Sequence, residues 1–212
     1  PVVAVITSMA QPLGTHIGNA LEVKDAIDVL AGRTQGDLLE ISLLLGSHML
    51  VLAEKAKTLP EARAMLENAL SSGAGLRKLA EMIAAQGGDP RVVEDLSLLP
   101  QAAVKRVMRA ETAGYLSAMD TTALGMAAQR MGAGRAKKSD MLDYSVGYVL
   151  HVRLGDEVTE DTPLATLYAR NEAEAEEAEK AIRKALTIAG EKPSVPPLWD
   201  AVVTAEGIIY NR

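Results

Sequence analysis

The sequence predicts an α/β segment in residues 1–103 followed by a compact α+β domain in residues 104–212. Two observations support this division. Residues 1–99 combine one continuous apolar run with several stretches of helical spacing, which is typical of a parallel strand covered by helices. After residue 104, short strand-like runs alternate with turns and only two helical segments. We therefore expect a remnant of an α/β fold, consisting of a parallel strand plus helices, and then an α+β domain.

The first element is the nearly continuous apolar run at residues 1–9, which is interrupted near its end by Thr7 and Ser8. Because it is apolar on both faces, we expect Val3, Val5 and Ile6 to be buried in a parallel sheet. The chain has no initiator methionine and opens directly into this strand. We therefore expect the 212 residues to be a fragment of a longer protein.

The helices that follow are marked by side chains able to accept hydrogen bonds from the first free backbone amides. A first helix has apolar residues at helical spacing from residue 19 and ends at Gly32. Residues 37–40 and 58–61 both have the spacing of a capping box. Asp89 precedes a proline, which is favourable in a first helical turn. Most of residues 18–99 should therefore be helical.

The second half of the chain has a different residue pattern, in which short strand-like runs alternate with turns. Strands are predicted over residues 105–120, 144–154, 163–169 and 201–210, with a turn at residues 155–156. Asp120 should cap a helix that runs to residue 131. A second helix is predicted over residues 172–189, where acidic residues precede basic ones as the helix dipole favours. The charged face of this helix is interpreted as solvent-exposed.

Composition excludes several classes of protein. The net charge is −6 and there is no extended basic cluster, which argues against a nucleic-acid partner. No apolar run approaches the roughly 18 residues of a membrane-spanning helix, so no membrane partner is expected. Cysteine is absent, which excludes disulfides, zinc thiolates and thiol nucleophiles. Phenylalanine is absent too, so the core must be mainly aliphatic.

Residues that carry chemistry are sparse. His16, His48 and His151 share no metal-binding spacing, and His48 is interpreted as a hydrogen-bonded histidine in or beside an apolar core. No signature of a serine hydrolase, zinc protease, phosphate loop or dinucleotide site occurs. The glycine-rich residues 132–135 could bind an anion through backbone amides and an arginine, although a plain connector is the simpler interpretation.

The most informative stretch is residues 11–26, which follows the first strand at the edge where open α/β sheets bind ligands. Asn19, Glu22 and Asp25 lie at the start of the adjoining helix. Loop carbonyls and a carboxylate can together hold a hard cation through oxygen atoms. Acidic side chains also stabilise a helix N-terminus without any ligand. Both interpretations stay open on the residues alone.

Several separated motifs closely resemble the signature of pyrimidine-nucleoside and thymidine phosphorylases, in order and over essentially the whole chain. They are residues 6–14 (ITSMAQPLG), 18–26 (GNALEVKDA), 110–115 (AETAGY), 119–126 (MDTTALGM), 131–135 (MGAGR) and 143–147 (DYSVG). Chance similarity does not produce six such motifs in order. The chain is similar to the carboxyl-terminal part of a subunit of this family.

The resemblance implies phosphorolysis of a pyrimidine nucleoside, uridine or thymidine, with phosphate as co-substrate. Phosphate attacks the anomeric carbon and gives the free base and a pentose 1-phosphate, while the protein orients it and stabilises charge. The resemblance further implies a cytoplasmic homodimer, formed through a small helical domain. That domain, the family's phosphate loop and its base-holding residues have no counterpart here. We therefore assign no catalytic or substrate-binding residue and expect this stretch alone to be inactive.

The resemblance also implies a potassium site that falls partly within the chain. The matching contributors are the backbone carbonyls of Leu13 and His16 and the carboxylate of Asp25. The family usually has alanine at the position of His16 and glutamate at that of Asp25. The shorter side chain of Asp25 leaves room for a bridging water. The remaining ligands would come from the phosphate loop, so the site should be incomplete in these residues.

Two alternatives from other classes are considered. Residues 152–158 with Pro163 and Leu164 resemble the hairpin pattern of biotinyl and lipoyl domains. Such carriers display a lysine on a tight turn, and residues 165–179 contain none. We therefore expect a hammerhead-like architecture without carrier chemistry, at most a non-catalytic binding module. A related phosphoribosyltransferase would lack this carboxyl-terminal domain.

Overall fold

The computed structural model describes residues 1–211 and contains helices together with three antiparallel sheets. By spatial contact the chain forms two compact units. The first comprises residues 1–8, 26–98 and the chain from 197 onward, and the second comprises residues 9–25 and 99–196. The division at residues 103/104 drawn from the sequence concerns the domains of a whole enzyme and stays a prediction.

The first unit contains strand β1 (Ala4–Thr7), most of the helical segment and the terminal hairpin. Its helices are α2 (Asp37–Leu52), α3 (Leu59–Ser71), α4 (Ala74–Ala85) and the end of α1 (Asn19–Leu30), which starts in the second unit. Two short 3-10 turns follow at Pro90–Val93 and Leu96–Leu98. The second unit begins its strands with β2 (His16–Ile17), β3 (Val104–Arg109) and β4 (Gly114–Met119).

The remaining elements are α5 (Thr121–Ala128), a π-helical turn (Gln129–Ala133), β5 (Gly147–Leu150), β6 (Glu157–Val158), β7 (Pro163–Ala169), α6 (Glu172–Ala185), β8 (Leu186–Ala189), β9 (Trp199–Thr204) and β10 (Gly207–Tyr210). The sheet orders are β1-β9-β10 in the first unit, and β2-β5-β7-β3 and β6-β4-β8 in the second. Every strand pairing in these sheets is antiparallel.

The prediction of a buried parallel first strand is therefore wrong. β1 pairs antiparallel with β9, with Ala4 opposite Val203 and Ile6 opposite Ala201. Val3 and Val5 are half-buried, and Ile6 is 48% exposed. A continuous apolar run indicates only that both faces of a strand are apolar. It carries no information on the direction of the partner strand, which here comes from the far end of the chain.

The helix starts in the first unit are confirmed in position, but one of the caps is not. Thr58 accepts a hydrogen bond from the Glu61 amide at 3.3 Å, and the Glu61 carboxylate accepts one from the Lys57 amide at 2.9 Å. The prediction that Asp37 caps α2 is wrong, because the helix begins at Asp37 itself and Gly36 occupies the cap position with φ 121°. Asp89 caps a 3-10 turn.

The second unit confirms the predicted α+β domain, whereas its hammerhead description stays a prediction. Its core is aliphatic, as the absence of phenylalanine requires, except for one fully buried tyrosine, Tyr148, whose hydroxyl donates to the Leu124 carbonyl at 2.8 Å. Helix α6 packs against β7, β3 and β8, and α5 packs against α6. Within residues 1–211, no helix has the length and apolar character needed to cross a bilayer.

Several boundaries differ from prediction. The helix predicted over residues 172–189 ends at Ala185, because the β8 residues that follow pair with β4. The strand predicted over 105–120 is two strands, and the one over 201–210 is a hairpin. The break between β3 and β4 follows from their pairing with the distant strands β7 and β8, whereas β9 and β10 pair with each other across the turn at residues 205–206.

Candidate functional site

Two of the matched motifs meet by close backbone contact at the start of α1. Gly147 has φ +148°, and a Cβ atom there would lie 2.1 Å from the carbonyl oxygen of Ile17. Gly18 has φ +136°, and a larger residue would not fit there for the same reason. The amide of Ala20 donates to the Tyr144 carbonyl at 3.0 Å. The motifs at 18–26 and 143–147 therefore form one continuous structure.

A third motif joins them through a side chain singled out in the sequence. The side-chain amide nitrogen of Asn19 donates to the Ala133 carbonyl at 2.8 Å, which attaches the end of the π-helical turn (Gln129–Ala133), and with it the motif at 131–135, to the start of α1. The Glu22 carboxylate accepts from the Gly18 amide at 3.2 Å. Glu22 thus serves the helix N-terminus, as the simpler of the two interpretations holds.

The loop at residues 11–16 is held from the β5–β6 connection by Arg153, a residue for which the sequence indicated no role. Its guanidinium donates to three consecutive backbone carbonyls, those of Pro12 (2.6 Å), Leu13 (3.4 Å) and Gly14 (3.5 Å). Such a contact spans about 140 positions along the chain. No local sequence signal could have identified it.

Two further bonds attach the same loop to that connection and to β5. The side-chain oxygen of Gln11 accepts from the Leu154 amide at 2.9 Å, and the Leu150 amide donates to the Thr15 carbonyl at 2.8 Å. Residues 11–15 therefore have a defined conformation within the second unit.

Two of the three residues predicted to hold potassium are brought together, but through the His16 ring. Asp25 is 4% exposed, and its Oδ1 lies 3.4 Å from His16 Nδ1. The Thr15 hydroxyl is 3.0 Å from the same nitrogen, and the Lys24 Nζ lies 3.5 Å from His16 Nε2. An ammonium can only donate, so in a neutral ring Nε2 would be the acceptor and Nδ1 would carry the hydrogen.

This arrangement does not suit a potassium ion well. The Leu13 carbonyl already faces the guanidinium of Arg153, and a cation bound to that oxygen would lie within a few ångströms of a like charge. The Asp25 carboxylate faces the imidazole of His16. In residues 1–211, no three histidine, aspartate or glutamate side chains form a cluster that could hold a metal, which does not bear on a site built from two carbonyls and one carboxylate. The assignment of Leu13, His16 and Asp25 as ligands stays a prediction.

The segment at residues 132–146, which begins with the glycine-rich residues 132–135, is organised by its own side chains. The Asp140 carboxylate accepts from the amides of Ala136 (3.1 Å) and Lys137 (2.8 Å), and Arg135 Nε donates to the Asp140 carbonyl at 3.1 Å. Farther along, the hydroxyl and amide of Ser145 donate to Asp143, which lowers the pKa of that carboxyl below its usual range. Arg135 is thus engaged within the loop.

The other two histidines lie in different surroundings. His48 is half-buried in α2, and its Nε2 has no hydrogen-bond partner in the part of the chain that the structure describes, which corrects the expectation of a hydrogen-bonded residue at that atom. Burial lowers the pKa of His48. His151 Nε2 lies 2.7 Å from the Thr166 hydroxyl, and burial together with the charge of Lys105 lowers its pKa.

Known proteins resemble this chain at two levels, first in one domain and then over most of its length. Residues 115–189 match a family model described as the pyrimidine nucleoside phosphorylase C-terminal domain, which covers most of the α+β unit. The second unit therefore contains a domain of the pyrimidine nucleoside phosphorylase C-terminal type. The match with curated proteins extends beyond that domain, to 80–95% of the chain.

Three similar relatives each carry the name pyrimidine-nucleoside phosphorylase. The chain is 50% identical to that of Bacillus subtilis (strain 168) over 169 residues, which is 80% of this chain and 39% of the relative. It is 49% identical to that of Geobacillus stearothermophilus over the same length, and 42% identical to that of Staphylococcus aureus (strain USA300) over 201 residues, 95% of this chain and 46% of the relative. The chain matches the carboxyl-terminal part of the pyrimidine-nucleoside phosphorylase family. It spans less than half the length of these relatives.

Proposed function

We propose that this chain forms part of an enzyme that cleaves uridine or thymidine with phosphate, giving the free base and a pentose 1-phosphate. The observation that supports the proposal is the identity of 42–50% to proteins named pyrimidine-nucleoside phosphorylase. The contact of three matched motifs at the start of α1 is consistent with it, since these motifs depend on one another for their conformation.

The residues described here act by positioning. In phosphorolysis the attacking oxygen belongs to phosphate, so the protein needs to bind, orient and stabilise charge, and it needs no nucleophile of its own. We propose that the cluster around α1 and Arg153 holds residues 9–17 in a fixed conformation for that purpose. No residue of this chain is given a catalytic role.

The test uses the protein expressed from its complete gene, incubated with uridine or thymidine in the presence and absence of phosphate. We expect release of uracil or thymine only when phosphate is present, together with a pentose 1-phosphate detected by phosphorus NMR. Base release that does not require phosphate would indicate a hydrolase. Failure to release a base from either nucleoside would contradict the proposal.

A second experiment separates this stretch from the rest of the enzyme. We propose that residues 1–212 alone do not catalyse phosphorolysis, because the family's phosphate- and base-binding motifs match nothing in them. Loss of most of the groups that stabilise charge in the transition state removes most of the rate enhancement. The product of the complete gene at equal molarity is the control, and base release by the 212-residue chain above the uncatalysed rate would refute the statement.

We further propose that the complete protein is a homodimer, with the contact formed outside these 212 residues as the family resemblance implies. Light scattering of the complete gene product should give twice the subunit mass. A monomer would contradict this assignment without affecting the phosphorolysis proposal.

The carrier-module alternative would need a lysine on a tight turn, and residues 165–179 contain none. Within that range, the connection between β7 and α6 holds Arg170 and Asn171. Arg170 pairs with Glu174 at 2.8 Å, and Asn171 caps α6.

A further inference from the structure

The loop at residues 11–16 and the buried carboxylate beside it are the groups that the family resemblance would assign to a potassium ion. In this structure each of them already contacts a cationic or hydrogen-donating side chain of the chain itself. Three consecutive carbonyls of the loop, those of Pro12, Leu13 and Gly14, accept from the single guanidinium of Arg153. An arginine is always protonated, so this positive charge is permanent.

The carboxylate of Asp25 has a different neighbour, the ring of His16. Lys24, His16 and Asp25 form a row, with 3.5 Å between Lys24 Nζ and His16 Nε2 and 3.4 Å between His16 Nδ1 and Asp25 Oδ1. The Thr15 hydroxyl, at 3.0 Å, is also within hydrogen-bond distance of His16 Nδ1. The buried carboxylate of Asp25 therefore faces a side chain of the chain itself, and that imidazole in turn lies beside an ammonium, as expected where a buried charge needs polar partners.

We propose that these internal groups, Arg153 and the Lys24–His16 pair, replace a potassium ion, and that this protein does not depend on potassium. Two sequence positions support the same conclusion. His16 stands where the family usually has alanine, so an imidazole occupies space beside the carboxylate. Asp25 stands where it usually has glutamate, and the shorter side chain fits a partner on the adjacent β2 strand. An additional cation at the Leu13 carbonyl would also be repelled by the nearby guanidinium.

The first experiment measures the thermal unfolding midpoint of the protein from its complete gene in potassium chloride and in choline chloride at equal ionic strength. Equal ionic strength removes the general effect of screening on surface charges. We expect the same midpoint in both salts. A saturable rise with potassium, absent with choline, would overturn the inference.

The second readout is the phosphorolysis rate in the same two salts, and this readout alone rests on the proposed function. We expect rates that agree within about twofold, which is less than the change that a coupled ligand typically causes. If no phosphorolysis is found at all, the proposed function fails, whereas the unfolding midpoints still decide the potassium inference.

Variants identify the groups responsible. The double change His16→Ala with Asp25→Glu restores the family's usual pair, and we expect it to create a potassium-dependent rise in the unfolding midpoint. Arg153→Met removes the guanidinium from the loop and should have the same effect. Arg170→Met is the matched control, because Arg170 lies in the same unit and pairs with Glu174. A potassium response in the control equal to that of Arg153→Met would contradict the assignment, and if a variant does not fold, the wild-type comparison still decides.

Discussion

Gly147 is the residue on which the contact between the start of α1 and the start of β5 depends. Its φ of +148° and the 2.1 Å approach of the Ile17 carbonyl to a virtual Cβ leave no room for a methyl group. We expect Gly147→Ala to lower the free energy of unfolding by about 2 kcal/mol or more, since it combines backbone strain with overpacking. Urea denaturation followed by circular dichroism measures the change.

Gly125 provides the matched control for that substitution. It lies within α5, is exposed, and a Cβ there would have nothing within 4 Å. Gly125→Ala should therefore stabilise the protein by roughly 0.5–1 kcal/mol, because alanine loses less backbone entropy in a helix. Equal destabilisation by both changes would show that the close contact at Gly147 has no special weight.

His48 links stability to pH at the scale of one residue. Its side chain lies in an apolar cavity of about 480 Å³ that is lined by residues such as Leu44, Val51 and Trp199, and burial lowers its pKa. The unfolded chain then binds a proton at a higher pH than the folded chain does. Stability is therefore complete above the ordinary pKa of about 6.5 and falls as the pH decreases below it.

The substitution His48→Leu tests this linkage. We expect the variant to lose less stability than the wild type between about pH 7.5 and about pH 5.5, because one group with a lowered pKa is removed. His151, whose pKa is also lowered, remains in both proteins and maintains part of the slope. Denaturant unfolding at both pH values is the measurement, and identical pH dependence in the two proteins would refute the role of His48.

At the scale of elements, helix α6 begins with a cap that is entirely local. Asn171 Oδ1 accepts from the Glu174 amide at 2.9 Å. Asn171→Ala should cost about 1 kcal/mol of unfolding free energy, and Asn171→Ser should restore most of it, since serine is also a good cap. Thermal or denaturant unfolding of the three proteins gives the comparison. A serine variant no more stable than the alanine variant would argue against the cap.

The segment at residues 132–146 is predicted to respond to ligands as one element. Its two ends are held by Asn19 and Ala20 of α1, but between them its bonds are mostly internal, through Asp140, and Met141 is 90% exposed. Segments with few buried contacts open more readily than the core. In the protein from the complete gene, nucleoside and phosphate together should slow amide hydrogen exchange across this segment, as expected of a segment that orders when a site closes.

The buried part of α6 is the internal reference for that measurement. Ala175, Ala178 and Ile182 are core residues, and their amides should exchange at the same rate with and without ligands. Exchange that is unchanged across residues 132–146 as well would leave the segment as a plain connector between α5 and β5.

At the scale of the whole molecule, the sheet of the first unit leaves apolar side chains in solvent. Val2 is 81% exposed, and Ile208, Ile209 and Tyr210 on β10 are each more than half exposed. Exposed apolar strands at a sheet edge favour association. We expect the 212-residue chain alone to sediment as concentration-dependent oligomers, and Ile209→Lys to reduce this. A monodisperse monomer at all concentrations would contradict the expectation.

Part of the candidate site could be read from the sequence, and part could not. The loop at 11–16, Asn19, Glu22 and Asp25 were identified because they follow a strand and begin a helix, which are local features. Arg153 and Lys24 were not, since their roles depend on contacts with that loop and with the His16 ring. The tautomer and partner of His16 are also decided by this three-dimensional setting.

The sequence alone was enough for most features whose partners lie within a few residues, and for the resemblance to a family. Thr58 and Asp120 were predicted as caps because each can bond an amide three positions ahead, and Asn171, which was not singled out, caps α6 in the same local way. Tertiary structure alone decided the direction of β1, because its partner β9 lies almost 200 positions later and an apolar pattern is the same in either direction. It likewise ended α6 at Ala185, since pairing of β8 with β4 outweighs the helical preference of residues 186–189.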